Sequence, residues 1–534
     1  MIDFDWSLPY PSQREAVLAE NVVATSQPLA AQAGLRMLLD GGNAIDAAVA
    51  TAISLTVLEP TSNGIGSDAF ALVWAGGGLH GLNASGKSPA ALTLDRFDGL
   101  DAVPLLGWDA VTVGGAVSAW ATLSERFGSL PFHKLCEPAI EYARNGYLVS
   151  RQTAYYWGLG QNKYSQFEEY QRVFCPNGKA PKAGEIFKSN DHANTLEQIA
   201  QTKGKSFYEG DLADRIAHHA KQTGGLITKE DLASHQPQWV RPISMDYRSI
   251  TLHEIPPNGQ GLAALMMLGI LKHFPMSQMR VDSADSLHLQ IEAMKLAFAD
   301  AHRYIADPDW MDVDVEHLLD DEYLKQRAKL IDLIQAKDPK HGSPKPGGTV
   351  YLTTADSQGN MVSYIQSNYT GFGSGIVVPD TGIALQNRGG CFSLVEGHPN
   401  AAGPSKRPYH TIIPGFITEH TASGETEPVM SFGVMGGFMQ PQGHAQVVIR
   451  LEDYKQNPQA ALDGPRWRVD KGLFVAIEPG FDAEVYEELS SRGHDIKIAA
   501  QPEEFYGRGQ AIYKLSGGYF AASDGRADGQ AVGF

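Results

Sequence analysis

A threonine that opens a strand straight after a Gly- and Pro-rich stretch can do chemistry if the peptide bond before it is cut. Thr349 stands in that position, with HGSPKPGG before it and VYLTTA after it. Cleavage of Gly348–Thr349 would give Thr349 a free α-amine with a pKa of about 7.7–8.0, low enough to take the proton of its own hydroxyl near neutral pH. The glycines before the bond leave its carbonyl open to that hydroxyl, so the cut could be self-catalysed. By spacing alone, however, a threonine at a strand start is ordinary. A second candidate is SFGVMGGFMQPQGH (431–444), where Gly436 and Gly437 can offer two backbone N–H groups to a developing oxyanion. Taken alone, a Gly-Gly pair is equally a tight turn.

Other signals of chemistry are missing or weak. The chain has no GxxxxGK[ST], HExxH or GxSxG. GFGSG (371–375) lacks the strand–turn–helix setting of a dinucleotide site and reads as a flexible turn. His218-His219 falls in a polar helix and reads as a solvated pair. Cys136, Cys175 and Cys391 lie far apart with no CxxC, which is neither a zinc framework nor a disulfide scaffold. No metal and no cofactor is expected.

The elements that must position Thr349 alternate between helix and strand, which favours an α/β or α+β fold over an all-β one. Residues 28–56 read as two helices split by Gly41-Gly42, the second capped by Asn43 and apolar nearly all round, hence buried. AFALVWA, after the turn in EPTSNGIGSDAF, reads as a strand. DSADSLHLQIEAMKLAFADAHRYIA reads as a helix with Leu287, Ile291, Met294 and Phe298 on one face and Ser283 or Asp285 as cap. Thr228 and Asp231 form a capping box. The stretch 331–348, with three prolines, three glycines and three lysines, is the clearest linker. Beyond it, TVYLTTADSQGNMVSYIQSNY reads as two strands about a DSQGN turn, with Val350, Leu352 and Thr354 alternating.

The 534 residues are 43% hydrophobic and carry 43 Lys+Arg against 61 Asp+Glu, a net charge of −18. Burying a large core is not in question, and disorder is excluded. The acidic balance argues against nucleic acid or an anionic membrane as partner. No run approaches the roughly 18 apolar residues of a membrane span, and MIDFDWSLPYPSQREAV shows no secretory pattern. A cytoplasmic enzyme is the expectation.

GGNAIDAAVA, EPTSNGIGSDAF, GGLITKEDL, PPNGQG, EAMKLAFADAHRYIADP, the Thr349 junction, GFGSGIVVPDTGI, GPSKRP and the MGG turn occur here in that order. Together they resemble the γ-glutamyltranspeptidase (glutathione hydrolase) family of N-terminal-nucleophile hydrolases, from about residue 22 to the C-terminus. The resemblance implies a four-layer αββα sandwich and a proenzyme that cleaves itself before Thr349. The products are a large subunit, 1–348, and a small one, 349–534, held together in one sandwich. It implies that Thr349 forms an acyl-enzyme with a small-molecule amide, that Ser367 takes the place of a threonine that hydrogen-bonds the nucleophile, and that Gly436 and Gly437 form the oxyanion hole.

The specificity residues depart from the family pattern. Where relatives hold a γ-glutamyl group with an Arg, a Ser-Ser pair, an Asp and an Asn, this chain has Ser85, His410-Thr411, Cys391 and Tyr369. The charge-assisted contacts of that clamp are therefore lost. Arg388 in LQNRGG stands where relatives commonly have a neutral residue. It can anchor a substrate carboxylate, or serve as a structural ion pair or carbonyl clamp. Lys87 is a weaker candidate and reads as solvent-facing, and Cys391 reads as a small buried filler. The stretch from Phe392 to Lys406 is too short for the lid of some relatives, so an open or differently covered pocket is expected. The expected activity is hydrolysis of a small carboxylate-bearing amide with an oxamate-like or glutaryl-like acyl part. Glutathione hydrolysis or γ-glutamyl transfer with an unusual clamp, and an inactive binding homologue, are the alternatives.

Overall fold

The computed structural model describes residues 9–10, 14–339, 348–500 and 505–534. Two seven-stranded antiparallel sheets form its centre. One has the strand order Gln530–Gly533, Val22–Thr25, Gly348–Ala355, Met361–Tyr369, Asp68–Ala75, Gly78–Asn83, Gln238–Val240. The other runs Val17–Ala19, Gly518–Ser523, Arg508–Leu515, Thr426–Met435, Gly415–His420, Ile250–Glu254, Ile243–Tyr247. Each sheet draws strands from both sides of residue 348, so neither side can complete a sheet alone.

Side-chain alternation explains the layering. Phe70, Leu72, Trp74, Tyr351 and Ile365 point from the first sheet toward Phe416 and Ile512 of the second and Ile255 just past its Ile250–Glu254 strand. The intervening Ala69, Ala71, Val73, Val350 and Leu352 face the helices Pro28–Leu39 and Ala44–Leu58 on the outside. On the far side, Gly261–Leu271, Met439–Glu452 and Pro458–Asp463 cover the second sheet. The result is the expected αββα sandwich. The parity of the strand that puts Tyr351 between the sheets puts Thr349 there too.

The local sequence readings hold at most of these elements. Asn43 caps the second helix by accepting from Ile45 and Asp46 N–H at 3.0 Å, while Asp46 accepts from Asn43 N–H, and all fifteen residues of that helix are buried. Its amide also donates to Phe127 O at 2.7 Å. Asn43→Ala should therefore lower stability by about 2 kcal/mol, read from urea unfolding, because it strands several donors at once. Ser283 is the cap of Ala284–Tyr304, and the Thr228–Asp231 box opens Lys229–Ala233.

The linker expectation needs correction over its first part; residues 340–347 lie outside the described residues. The segment from Asp332 to Lys337 is docked through buried polar groups. His288 Nε2–H donates to Asp332 O (2.7 Å), leaving Nδ1 to accept from His494 Nε2–H (2.8 Å). Lys295 Nζ donates to Glu292 (2.8 Å), Lys337 O (3.2 Å) and His494 Nδ1 (3.4 Å), and Lys337 N–H donates back to Glu292 (3.0 Å). His288, Glu292 and His494 are close enough to suggest a metal cluster, but the Lys295 ammonium already supplies the cation their carboxylate needs.

Candidate active site

Thr349 is fully buried, and its Oγ1 donates to Ser367 Oγ at 3.1 Å. A break in the ladder aims it there. Gly348 pairs with Tyr369 and Val350 with Gln366, so Thr349 alone faces Ser367 and Asn368, the two-against-one count of a β-bulge. Just past Ser367 the chain leaves the sheet through Tyr369, whose φ of +76° is a strained value for a bulky residue. Its N–H donates to Ser367 Oγ (2.8 Å), and its ring lies 4.6 Å from the Arg388 guanidinium, within cation–π range.

Arg388 is fully buried. Nη2 donates to Ser367 Oγ (3.3 Å), Nη1 donates to Thr411 Oγ1 (2.6 Å) and reaches Cys391 Sγ (4.0 Å), and Nε has no partner among the described residues. Among the described residues no carboxylate lies within salt-bridge distance of it, so the structural ion pair weighed above is not formed. Asn387 fixes the turn that carries it, donating to Leu105 O, Thr370 Oγ1 and Gly373 O at 2.7–3.1 Å. The GFGSG stretch is thus a turn, but a packed one: a Cβ at Gly373 would stand 2.3 Å from Leu385 O. It buttresses Arg388.

Behind Arg388 lies Asp68, which sequence reasoning did not single out. Burial pushes its carboxyl up to about 7, against the opposing pull of Arg388 and the Gly86 and Gly115 amides. His410 Nδ1 accepts from Ile412 N–H (3.3 Å), so Nε2–H donates to Asp68 (3.1 Å). Burial and then the charge of Arg388 hold His410 well below its usual pKa, which makes it a neutral wall of the site. A carboxyl raised from 3.8 to about 7 keeps a proton that the unfolded chain releases. Its stabilising contribution is whole below about pH 4 and is lost as pH rises to 7. In an uncleaved Thr349→Ala background, Asp68→Asn should therefore gain about 2 kcal/mol relative to its parent between pH 5 and pH 8, measured by denaturant unfolding.

Gly436 (φ +144°) and Gly437 (φ +60°) occupy backbone regions that glycine favours, and a Cβ at Gly436 would stand 2.7 Å from Phe505. Neither N–H donates to another group of the described residues. The helix Met439–Glu452 starts just beyond, adding the positive end of its dipole. Gln260, inside PPNGQG, fastens this loop to the rest of the site. Its amide donates to Gly437 O (2.8 Å) and Thr411 O (2.6 Å), and its carbonyl accepts from Tyr409 (3.1 Å). Sequence reasoning quoted that motif without assigning Gln260 a task.

Of the residues expected at the site, the structure gathers Thr349, Ser367, Tyr369, Arg388, Cys391 and Thr411. Burial raises the Cys391 thiol pKa and so keeps it protonated. Ser85 is not part of the group: its hydroxyl bonds Asn83 and Asn258, and its carbonyl accepts from Arg407. Tyr369, Cys391, Tyr409 and Phe438 form part of the wall of a cavity of about 790 Å³. The short stretch after Phe392 supplies one side of that cavity, in keeping with an uncapped pocket.

The sequence model of the family Gamma-glutamyltranspeptidase matches residues 30–534. The chain belongs to the γ-glutamyltranspeptidase family. It is 35% identical over 531 residues to the Glutathione hydrolase-like YwrD proenzyme of Bacillus subtilis, covering 97% of this chain and 99% of that protein. It is also 35% identical over 521 residues to the Oxamate amidohydrolase proenzyme of Klebsiella pneumoniae, covering 95% and 97%. The crystal structure of a cephalosporin acylase from Bacillus halodurans superposes with a TM-score of 0.94 at 51% identity, covering 100% of this chain and 99% of that one. This γ-glutamyltranspeptidase family member is an enzyme, an amidohydrolase of the N-terminal-nucleophile type. Among the described residues, no helix is long and apolar enough to cross a membrane.

Proposed function

We propose that this chain cleaves itself between Gly348 and Thr349 and then hydrolyses short amides whose acyl half ends in a carboxylate. The observation that carries the reading is Arg388, a buried guanidinium with no carboxylate within salt-bridge distance among the described residues and with Asp68 behind it pushed toward its neutral form, one hydroxyl away from Thr349. A buried cation is costly unless an anion joins it, and a substrate carboxylate would be that anion. Since Arg388 and Thr349 share Ser367, only a few atoms separate the carboxylate from the reacting carbonyl. Oxalyl to glutaryl acyl groups fit. Relatives named for oxamate and cephalosporin substrates support the choice. A γ-glutamyl donor would find no acid for its ammonium at Cys391 or Tyr369.

In maturation, Thr349 Oγ1 attacks the Gly348 carbonyl, the acyl group shifts from nitrogen to oxygen, and water hydrolyses the ester. The chain 349–534 then begins with a free amine, and the release of Gly348 from Tyr369 uncovers Thr349 beside Arg388. In turnover the neutral amine takes the Oγ1 proton and Oγ1 attacks the substrate carbonyl. The Gly436 and Gly437 N–H groups receive the oxyanion, the C–N bond breaks, and the amine leaves with the proton. Water resolves the acyl-enzyme. The reading places the enzyme in the cytoplasm, where Cys136, Cys175 and Cys391, far apart in the sequence, would stay as free thiols. Intact mass of the purified protein tests the maturation step, and a screen of oxalyl, succinyl and glutaryl amides tests the second.

A further inference from the structure

The cavity above the reaction centre is larger than the acyl half of such a substrate requires. Its volume is about 790 Å³, against the ~30 Å³ share of a water molecule in the liquid. One side is a row of rings. His302 stacks on Tyr409 (centroids 5.7 Å apart, 22° between planes) and Tyr409 on Phe438 (5.8 Å, 26°). Most polar groups of this wall are spent on the protein; among the described residues, the exposed Asp101 is not. Tyr409 OH donates to Gln260, Asn400 Nδ2 to Cys391 O, and His398 bonds His302 O and Asn400 N–H. Arg303 is paired with Asp312 at 3.0 Å. At the rim, Leu100 and Val395 leave large apolar side chains 47% and 65% exposed, surface that a bound apolar group would cover.

Three residues of the cavity wall adjoin the buried reaction centre, Cys391 among them, 4.0 Å from Arg388 Nη1. Phe438 follows Gly437 directly, and Tyr369 bonds Ser367. A substrate with its carbonyl at Gly436–Gly437 and its carboxylate on Arg388 therefore directs its nitrogen substituent into this space. We propose that the cavity is the leaving-amine subsite and that it selects amides whose amine half is bulky, flat and apolar. Ammonia would leave most of it filled with water. An amino acid would bring a carboxylate to a wall whose one arginine is already paired.

This inference rests on the acyl chemistry proposed for Thr349, and its test separates the two. The self-processed enzyme is assayed on glutaryl and oxalyl monoamides of methylamine, benzylamine and glycine. The benzylamides should exceed both others in kcat/KM by at least about tenfold. Val395→Asp should cut the benzyl-to-methyl ratio about fivefold. Equal kcat/KM across the three amines, or a ratio unmoved by Val395→Asp, overturns the subsite and leaves the acyl reading standing. No turnover of any of the six overturns the acyl reading and the subsite with it.

Discussion

Thr349→Ala is expected to give a single uncleaved chain with no turnover, where the parent separates into fragments beginning at Met1 and Thr349. The substitution removes one oxygen and one methyl group from a site where Oγ1 has a single assigned role. Ser367, Arg388, Gly436 and Gly437 keep their other contacts, so folding should persist while both reactions stop. Loss of a catalytic nucleophile costs on the order of 10⁶ in kcat. Thr349→Ser should still cleave, since it keeps the hydroxyl and the α-amine. Intact mass after expression and after prolonged incubation reads the outcome. An alanine variant that still splits would place the nucleophile elsewhere.

How far these roles were legible before the fold was known depends on how local their causes are. The Asn43 cap, the Ser283 cap and the Thr228–Asp231 box depend on residues two or three apart, and sequence alone was enough. The strand pair around DSQGN follows from alternation and a turn. Thr349 looked ordinary by spacing, and only the order of motifs along the whole chain drew attention to it.

What stayed hidden is set by distant partners. The bulge at Thr349 exists only through pairing with Ser367 and Asn368. Gln260 matters because Gly437 and Thr411, more than 150 residues away, both need its amide. Asp68 sits in a motif that reads as a turn and strand, and nothing local shows that Arg388 and His410 will be buried beside it. The first part of the supposed linker carries polar residues that look solvated until Glu292, Lys295 and His288 bind their backbone. Conversely, Ser85 lies beside residues that matter, yet its hydroxyl is committed to Asn83 and Asn258.

Arg388→Ala should discriminate between substrates rather than simply weaken the enzyme. If the guanidinium receives the acyl carboxylate, the variant loses a charge-assisted interaction in a dry site. A cost of about 3 kcal/mol is expected, or roughly a hundredfold to several hundredfold in kcat/KM on oxalyl or glutaryl amides. Neutral amides of similar length, which never used the charge, should fall less than about threefold. Arg388→Lys should lie between. An ammonium keeps the charge but cannot span Ser367 and Thr411 as the planar fork does. The competing view makes Arg388 a brace that holds Ser367, Thr411 and the Tyr369 ring in place. Losing a brace misplaces Ser367 and thereby Thr349, and the penalty would then be the same for every substrate and would extend to self-cleavage. Measuring both substrate classes on processed enzyme, with the fraction processed read by intact mass, separates the two views. Equal losses on both classes would make Arg388 structural and remove the argument for a carboxylate-bearing acyl group. Among the described residues no carboxylate lies within salt-bridge distance of Arg388, and burial pushes Asp68 behind it toward its neutral form, which favours the first outcome. A brace needs hydrogen bonds, which a neutral glutamine could also make, whereas a charged group kept from water, with no salt bridge and only the partly protonated Asp68 behind it, is suited to a ligand that brings an anion.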